Sequence, residues 1–224
     1  MTSAEFRDRL SDRAWRVGVS VADSAQQQFE EYFRLLTHWN SKINLTSLPV
    51  RNPTDEAFDR LLIEPLAAAS HFPDLAKSWV DLGSGGGSPA IPIKILRPAV
   101  SLTMIEAKAR KAAFLRETAR ILQLGDTTVE NARFEALAPA AEFRHRFDVV
   151  TVRAVRADDS LFVAARLLLS SHGRQGRLLM FQSQEASGVS PAEFAVVDSF
   201  PLMKEPPSYL ISLQPVAFHV EQSG

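Results

Sequence analysis

The chain has 224 residues, 46% hydrophobic and 23% charged, the ordinary balance of a soluble domain large enough to bury a core without staples. Cysteine is absent, which excludes disulfides, thiolate metal sites and cysteine nucleophiles. The five histidines (His38, His71, His145, His172 and His219) lie far apart in sequence, against a zinc cluster. No apolar run approaches the ~18 residues of a membrane span, and the charged N-terminus does not read as a signal peptide. The expectation is a cytoplasmic monomer with no metal and no membrane partner.

A net charge of −1 argues at first against a nucleic-acid partner. The distribution says otherwise. Residues 1–80 sum to −2, residues 81–180 to +5 and residues 181–224 to −4, so a basic middle is hidden between acidic flanks.

The first 75 or so residues read as helical. From Ser24 to Trp39 the positions Phe29, Tyr32, Phe33, Leu35, Leu36 and Trp39 form one apolar stripe at helical spacing. Pro53-Thr54-Asp55-Glu56 resembles a helix start, with acids favoured by the macrodipole. That helix should run toward Phe72 and stop near Pro73, with a bend at Pro65. The rhythm changes at Ser78. Strands are expected at Trp79–Leu82, Leu102–Ile105, Thr127–Glu130, Phe147–Val152 and Leu178–Phe181, with helices near Pro89–Leu96, Ala109–Leu122, Phe134–Leu137 and Ser160–Leu169. This alternation predicts right-handed βαβ units and a parallel sheet. Phe194–Phe200 and Tyr209–Val220, with Pro206-Pro207 between them, should pair antiparallel at the sheet edge. The fold class is therefore α/β: a Rossmann-like, mostly parallel sheet with an antiparallel C-terminal hairpin strand. A helical extension over residues 1–76 precedes a sheet domain over 77–224.

The most informative stretch is Trp79-Val80-Asp81-Leu82-Gly83-Ser84-Gly85-Gly86-Gly87-Ser88-Pro89. An apolar strand runs into four glycines and then a proline suited to a first helical turn. A P-loop needs Gly-Lys-Ser/Thr at its end, and no lysine follows until Lys94. A dinucleotide loop wants glycine or alanine where Ser88 stands. Asp-x-Gly-x-Gly-x-Gly, with Asp81, Gly83 and Gly85 in place, has the spacing of S-adenosylmethionine-dependent methyltransferases. Glu106, closing Leu102–Ile105, sits ~20 residues beyond the loop, where an acid binds ribose hydroxyls. Nicotinamide enzymes use the same acid, so it does not discriminate. A plain structural turn is the bland alternative for the glycines.

Trp39-Asn40-Ser41-Lys42-Ile43-Asn44-Leu45-Thr46 ahead of this loop, Lys111-Ala112-Ala113-Phe114-Leu115-Arg116 after it, Ala132-Arg133-Phe134-Glu135, and Phe147–Ala154 follow in order. In that order the chain resembles the bacterial 16S ribosomal RNA guanine-N7 methyltransferases, formerly called glucose-inhibited division protein B, from about Phe29 to Phe181. The resemblance implies S-adenosylmethionine as cofactor and 16S ribosomal RNA or the small ribosomal subunit as partner. It implies cofactor contacts at Gly83 and Ser88 and adenine-side contacts at Phe134 and Glu135. Arg153 would stand at the mouth of the site, on cofactor, RNA phosphate or both, and is the candidate catalytic residue. The chain departs from the family pattern at Ser88 (usually bulky and apolar), Ala90 (usually glycine), Leu61 (often histidine) and Gln182-Ser183 (usually Lys-Gly). Trp39 reads as core, and Asn44 and Thr46 as helix termination and capping.

Guanine N7 is a lone-pair nucleophile with no proton to remove, so such a reaction needs no general base. Alignment of N7, methyl and sulfur would supply up to ~7–11 kcal/mol. RNA would be held by phosphate contacts and stacking. The candidates are Lys108, Arg110, Lys111, Arg116 and Arg120 on the helix after Glu106, with Arg144, Arg146, Arg153 and Arg156 nearby in sequence. A diverged methyltransferase with another acceptor, an RNA-binding module without turnover and a nicotinamide oxidoreductase remain alternatives.

Overall fold

The computed structural model describes residues 1–170, 176–185 and 193–216. His172, His219 and residues 217–220 of the last expected strand lie outside them. Helices α1 (Ser3–Arg16) and α2 (Asp23–Asn40) open the chain. A third helical stretch follows as α3 (Asp55–Phe58), a π turn (Asp59–Ile63) and α4 (Glu64–Ala69). Then come β1 (Ser78–Leu82), α5 (Ala90–Leu96), β2 (Ser101–Ile105), α6 (Ala109–Ile121), β3 (Thr127–Glu130), α7 (Phe134–Leu137), β4 (Val149–Arg153), α8 (Asp159–Leu168), β5 (Arg177–Gln182), β6 (Phe194–Lys204) and β7 (Pro207–Pro215).

The strands form one sheet in the order β3-β2-β1-β4-β5-β7-β6. The first five pair in parallel, and β7 runs antiparallel between β5 and β6. The expected α/β class and C-terminal hairpin are thus present. The order reverses between β1 and β4, which places a crevice at their carboxyl ends. Residues 79–82 of β1 are buried without alternation, as a central parallel strand covered on both faces requires.

Several expected boundaries are corrected. Residues 41–54 are irregular, not helical, because Asn44, Pro49, Asn52 and Pro53 break the pattern. The helix begun at Thr54 ends at Ala69, three residues short of Phe72, and its irregularity lies in the turn before Pro65. β4 starts at Val149 because Phe147 bridges only to Leu169. β6 continues past Phe200 to Lys204, since an edge strand tolerates Pro201. β7 stops at Pro215.

The helical layer is built onto the sheet rather than tethered to it. One apolar cluster runs from Phe6, Phe33 and Phe58 through Trp79 and Phe114 to Leu210. Arg13 on α1 grips the buried Asp59 with two nitrogens and reaches Asp55 at 3.1 Å, while Arg9 lies over the Phe58 ring. Lys94 is buried at the end of α5, and its Nζ donates to the carbonyls of Pro98 (2.9 Å) and Val100 (2.6 Å). Burial pulls its pKa below the ordinary lysine value. Lys94→Met keeps the stem but orphans both carbonyls, so urea unfolding should show a loss of about 2 kcal/mol. An unchanged midpoint would show that water replaces the ammonium.

Candidate cofactor and acceptor site

The glycine loop leaves β1 at the point where strand order reverses. Its backbone is tied on every side. The N–H groups of Gly83 and Ser84 both donate to the Ile105 carbonyl, at 2.9 and 3.1 Å. Gly85 N–H donates to Glu106 Oε2 at 2.9 Å, and the Gly86 carbonyl accepts from the Tyr32 hydroxyl at 2.8 Å. Gly87 N–H closes the turn on Ser84 O at 2.7 Å, and Ile91 N–H begins α5 on Gly87 O at 2.7 Å. Gly87 sits at φ +86°, and a Cβ there would come within 2.5 Å of Ile91. Only glycine fits.

Asp81 stands behind the loop with 1% of its surface exposed. Its Oδ1 accepts from Thr151 Oγ1 at 2.5 Å, and that oxygen in turn accepts from Trp79 Nε1 at 2.8 Å. This chain crosses from β1 to β4 beneath the loop. Burial pushes the Asp81 carboxyl up to about 6, against the pull of the Ser84 and Thr151 hydroxyls and the Arg153 charge.

Glu106 closes β2, 7% exposed, and its two oxygens accept from the N–H groups of Gly85 (2.9 Å) and Lys108 (2.8 Å). A carboxylate offers about four acceptor positions, so capacity for hydroxyl donors remains. Asn131 at the end of β3 donates to the carbonyls of Glu106 (2.9 Å) and Ala107 (3.1 Å), fixing that corner. Glu135 on α7 pairs with Arg133 at 3.1 Å, and Phe134 packs half-buried against the core under α8.

Arg153 ends β4 with a largely buried side chain. Nη2 meets Glu64 Oε2 at 2.9 Å, and Nη1 donates to the Arg60 carbonyl at 2.5 Å and to Ser88 Oγ at 3.2 Å. Burial lowers its pKa and Glu64 opposes that effect. Ser88 Oγ itself donates to the Leu61 carbonyl at 2.9 Å. Two positions that depart from the family pattern, 61 and 88, therefore meet.

A groove of about 460 Å³ is lined by Gly83–Gly86, Ser88, Arg153 and Lys111 on one side and by Thr46, Leu48, Glu56, Arg60 and Leu61 on the other. Of the sequence candidates it brings together Gly83, Gly85, Ser88, Lys111 and Arg153. Glu106, Phe134 and Glu135 lie outside it, and Asp81 lies beneath it. A second cavity of about 310 Å³ opens at the ends of β4 and β5, lined by Ala154, Val155, Phe181, Gln182, Ser183 and Gln184. Ala154, at φ +54°, borders both. Lys108, Arg110 and Lys111 stand at this end of the sheet, where α6 begins. Arg120 instead pairs with Glu117 at 2.9 Å, and Arg116 donates to the Val129 carbonyl at 2.9 Å. Arg144 and Arg146 precede β4, at the opposite end of the sheet.

Sequence reasoning missed Tyr32, Glu64 and Thr151. Tyr32 was counted only in an apolar stripe, yet a buried tyrosine needs a partner for its hydroxyl. Among the described residues no group of three His, Asp or Glu side chains is placed to hold a metal, and no helix is long and apolar enough to cross a membrane.

Sheet order, glycine turn and strand-end acid together define a Rossmann-like fold of the methyltransferase type. Solved structures agree on the fold. A SAM dependent methyltransferase from Aquifex aeolicus aligns with a TM-score of 0.53 at 12% identity, covering 72% of this chain and 95% of that one. The glycopeptide N-methyltransferase MtfA, solved with S-adenosylmethionine, aligns at 0.51 with 15% identity, covering 72% and 98%. The family model GidB, described as rRNA small subunit methyltransferase G, matches residues 25–187. Curated relatives of that name are 37% identical over 72% of this chain in Roseiflexus sp. (strain RS-1) and 33% over 83% in Bacillus pumilus. A third, from Brevibacillus brevis, is 33% identical over 69%. These alignments span 67%, 74% and 63% of the relatives' own lengths. The chain belongs to the family of ribosomal RNA small subunit methyltransferase G.

The elevated Asp81 value has a direction. The folded protein favours the protonated acid, so Asp81 adds stability below its ordinary value near pH ~4, and this is lost as pH rises through about 6. Wild type should therefore lose stability relative to Asp81→Asn between roughly pH 4 and 6, with a constant difference above about pH 7. Urea titrations of both proteins across that range check it; a difference independent of pH would refute the burial argument.

Proposed function

We propose that this protein transfers the methyl group of S-adenosylmethionine to N7 of a guanine in 16S ribosomal RNA. The observation that carries this reading is the glycine turn at the β1/β4 switch point, braced by Tyr32 and Glu106, in a chain of this family. The residues present fit the cofactor. A carboxylate with unused acceptor capacity ends β2, a glycine backbone lines the groove, and Gly85 leaves no Cβ in the way.

In this reading Glu106 accepts ribose hydroxyls, Phe134 and Glu135 flank the adenine with side chain and backbone, and Gly83, Gly85 and Ser88 hold the methionine half. Asp81 supports the loop from behind. When bound, the cofactor supplies an activated methyl on a sulfonium, and the chain's task is alignment. No side chain has to remove a proton from N7. Arg153 holds positive charge at the floor of the groove, and Lys108, Arg110 and Lys111 supply phosphate contacts at its rim. The 16S ribosomal RNA or the small ribosomal subunit is the partner. A second reading, the same chemistry on another acceptor, is favoured by the uncharged Gln182-Ser183-Gln184 lining of the second cavity.

Calorimetry should show S-adenosylmethionine binding to wild type and at least tenfold weaker binding to Gly85→Val. Position 85 sits at φ +52°, and a Cβ added there would meet nothing closer than the Gly83 carbonyl at 3.7 Å, so the damage there is conformational and local. Labelled methyl should then appear at a guanine N7 of 16S ribosomal RNA taken from a strain deleted for the gene. No binding by wild type would refute the cofactor reading. Binding and transfer elsewhere would leave the second reading.

A further inference from the structure

We infer that Glu64 and Pro65, which do not line the groove, are positioning residues for it, acting through Arg153 and Ser88; this rests on reading the groove as the cofactor site. In a regular helix the Arg60 carbonyl accepts from the N–H of residue 64 and the Leu61 carbonyl from that of residue 65. Neither arrangement holds here. The Glu64 N–H reaches back one residue further, to Asp59 O, as a π turn requires. Residue 65 is proline and has no N–H to give.

Two carbonyls are thereby opened to the side, and both are taken by groove residues. Arg60 O accepts from Arg153 Nη1 at 2.5 Å, and Leu61 O accepts from Ser88 Oγ at 2.9 Å. Arg153 Nη1 lies 3.2 Å from Ser88 Oγ, which closes the ring between helix, glycine loop and β4. The Glu64 carboxylate, 2% exposed, completes it with Oε2 at 2.9 Å from Arg153 and Oε1 at 3.8 Å from Arg60. A carboxylate that deep is tolerable only when paired, and here it sets two cations that line the groove. Three of the five guanidinium N–H donors of Arg153 are used among the described residues.

The local chemistry separates this role from simple support. Pro65→Ala restores the missing N–H and lets the regular ladder compete with Arg153 and Ser88 for these carbonyls; the gain in helix propensity is offset by lost contacts of a buried ring and a freer unfolded chain. Thermal unfolding of Pro65→Ala should show a midpoint within a few degrees of wild type, since these contributions oppose one another. Its S-adenosylmethionine dissociation constant should rise about five- to tenfold. Glu64→Gln should weaken binding at least tenfold, and Glu64→Asp should return it to within about threefold of wild type. In the Pro65→Ala/Ser88→Ala double variant the losses should not add, because both act on one contact. Pro65→Ala and Glu64→Gln within twofold of a wild type that binds would overturn this inference alone. Affinity losses that simply follow a falling midpoint would do the same. A wild type that binds no S-adenosylmethionine would overturn the functional reading and this inference with it.

Discussion

A turn of four glycines leaves β1 with backbone donors and acceptors that no helix or strand of its own can satisfy. Gly83 and Ser84 share the Ile105 carbonyl on β2, Gly85 takes the carboxylate of Glu106, Gly86 takes the Tyr32 hydroxyl on α2, and Gly87 closes on Ser84 within the loop. The loop is thus stiff although its residues are the most permissive in the chain. Because partners come from a neighbouring strand and from the helical layer, the shape of the groove depends on both. Asp81 extends the same logic inward, through Thr151 and Trp79, at the cost of a buried acid that resists ionisation.

The helical layer gains its meaning from this dependence. It shares one apolar cluster with the sheet, delivers Tyr32 from above and Glu64 from the side, and supplies half the groove wall. A helical extension with its own core and a flexible hinge would leave those contacts undefined. Arg13 and Arg9, holding Asp55, Asp59 and the Phe58 ring, fix α1 against the very turn whose irregularity opens the carbonyls of Arg60 and Leu61.

Much of this was legible in the residues. Alternating apolar runs gave the parallel strands within a residue or two, since buried central strands leave a continuous hydrophobic signal. Asp-x-Gly-x-Gly-x-Gly located the switch point, and the family resemblance pointed to the same loop. Partnerships were not legible. Tyr32 looked like one more apolar position, because a stripe records which side faces inward and not what a hydroxyl meets there. Glu64 was invisible because its partner lies 89 positions away. The basic middle of the chain divided on folding. Lys108, Arg110, Lys111 and Arg153 gather at the site end, while Arg144 and Arg146 precede β4 at the other, since residues on either side of a strand are separated by its full length.

What the sequence determined by itself is the class of fold, the placement of the glycine turn and strand-end acid, and membership in a methyltransferase family. These rest on local rules: periodicity, turn chemistry and the spacing between a strand and the helix that follows. Only the tertiary structure decided that Arg153 is tied between Glu64, the Arg60 carbonyl and Ser88. Only it decided that Ser88 and Leu61, two separate departures on paper, meet through one hydrogen bond. Proline at position 65 is visible in the sequence as a bend in a helix; the turn before it is not. That the carbonyls so released face the glycine loop is a matter of packing, because a hydrogen bond left open by local chemistry is filled by whatever the fold brings within reach.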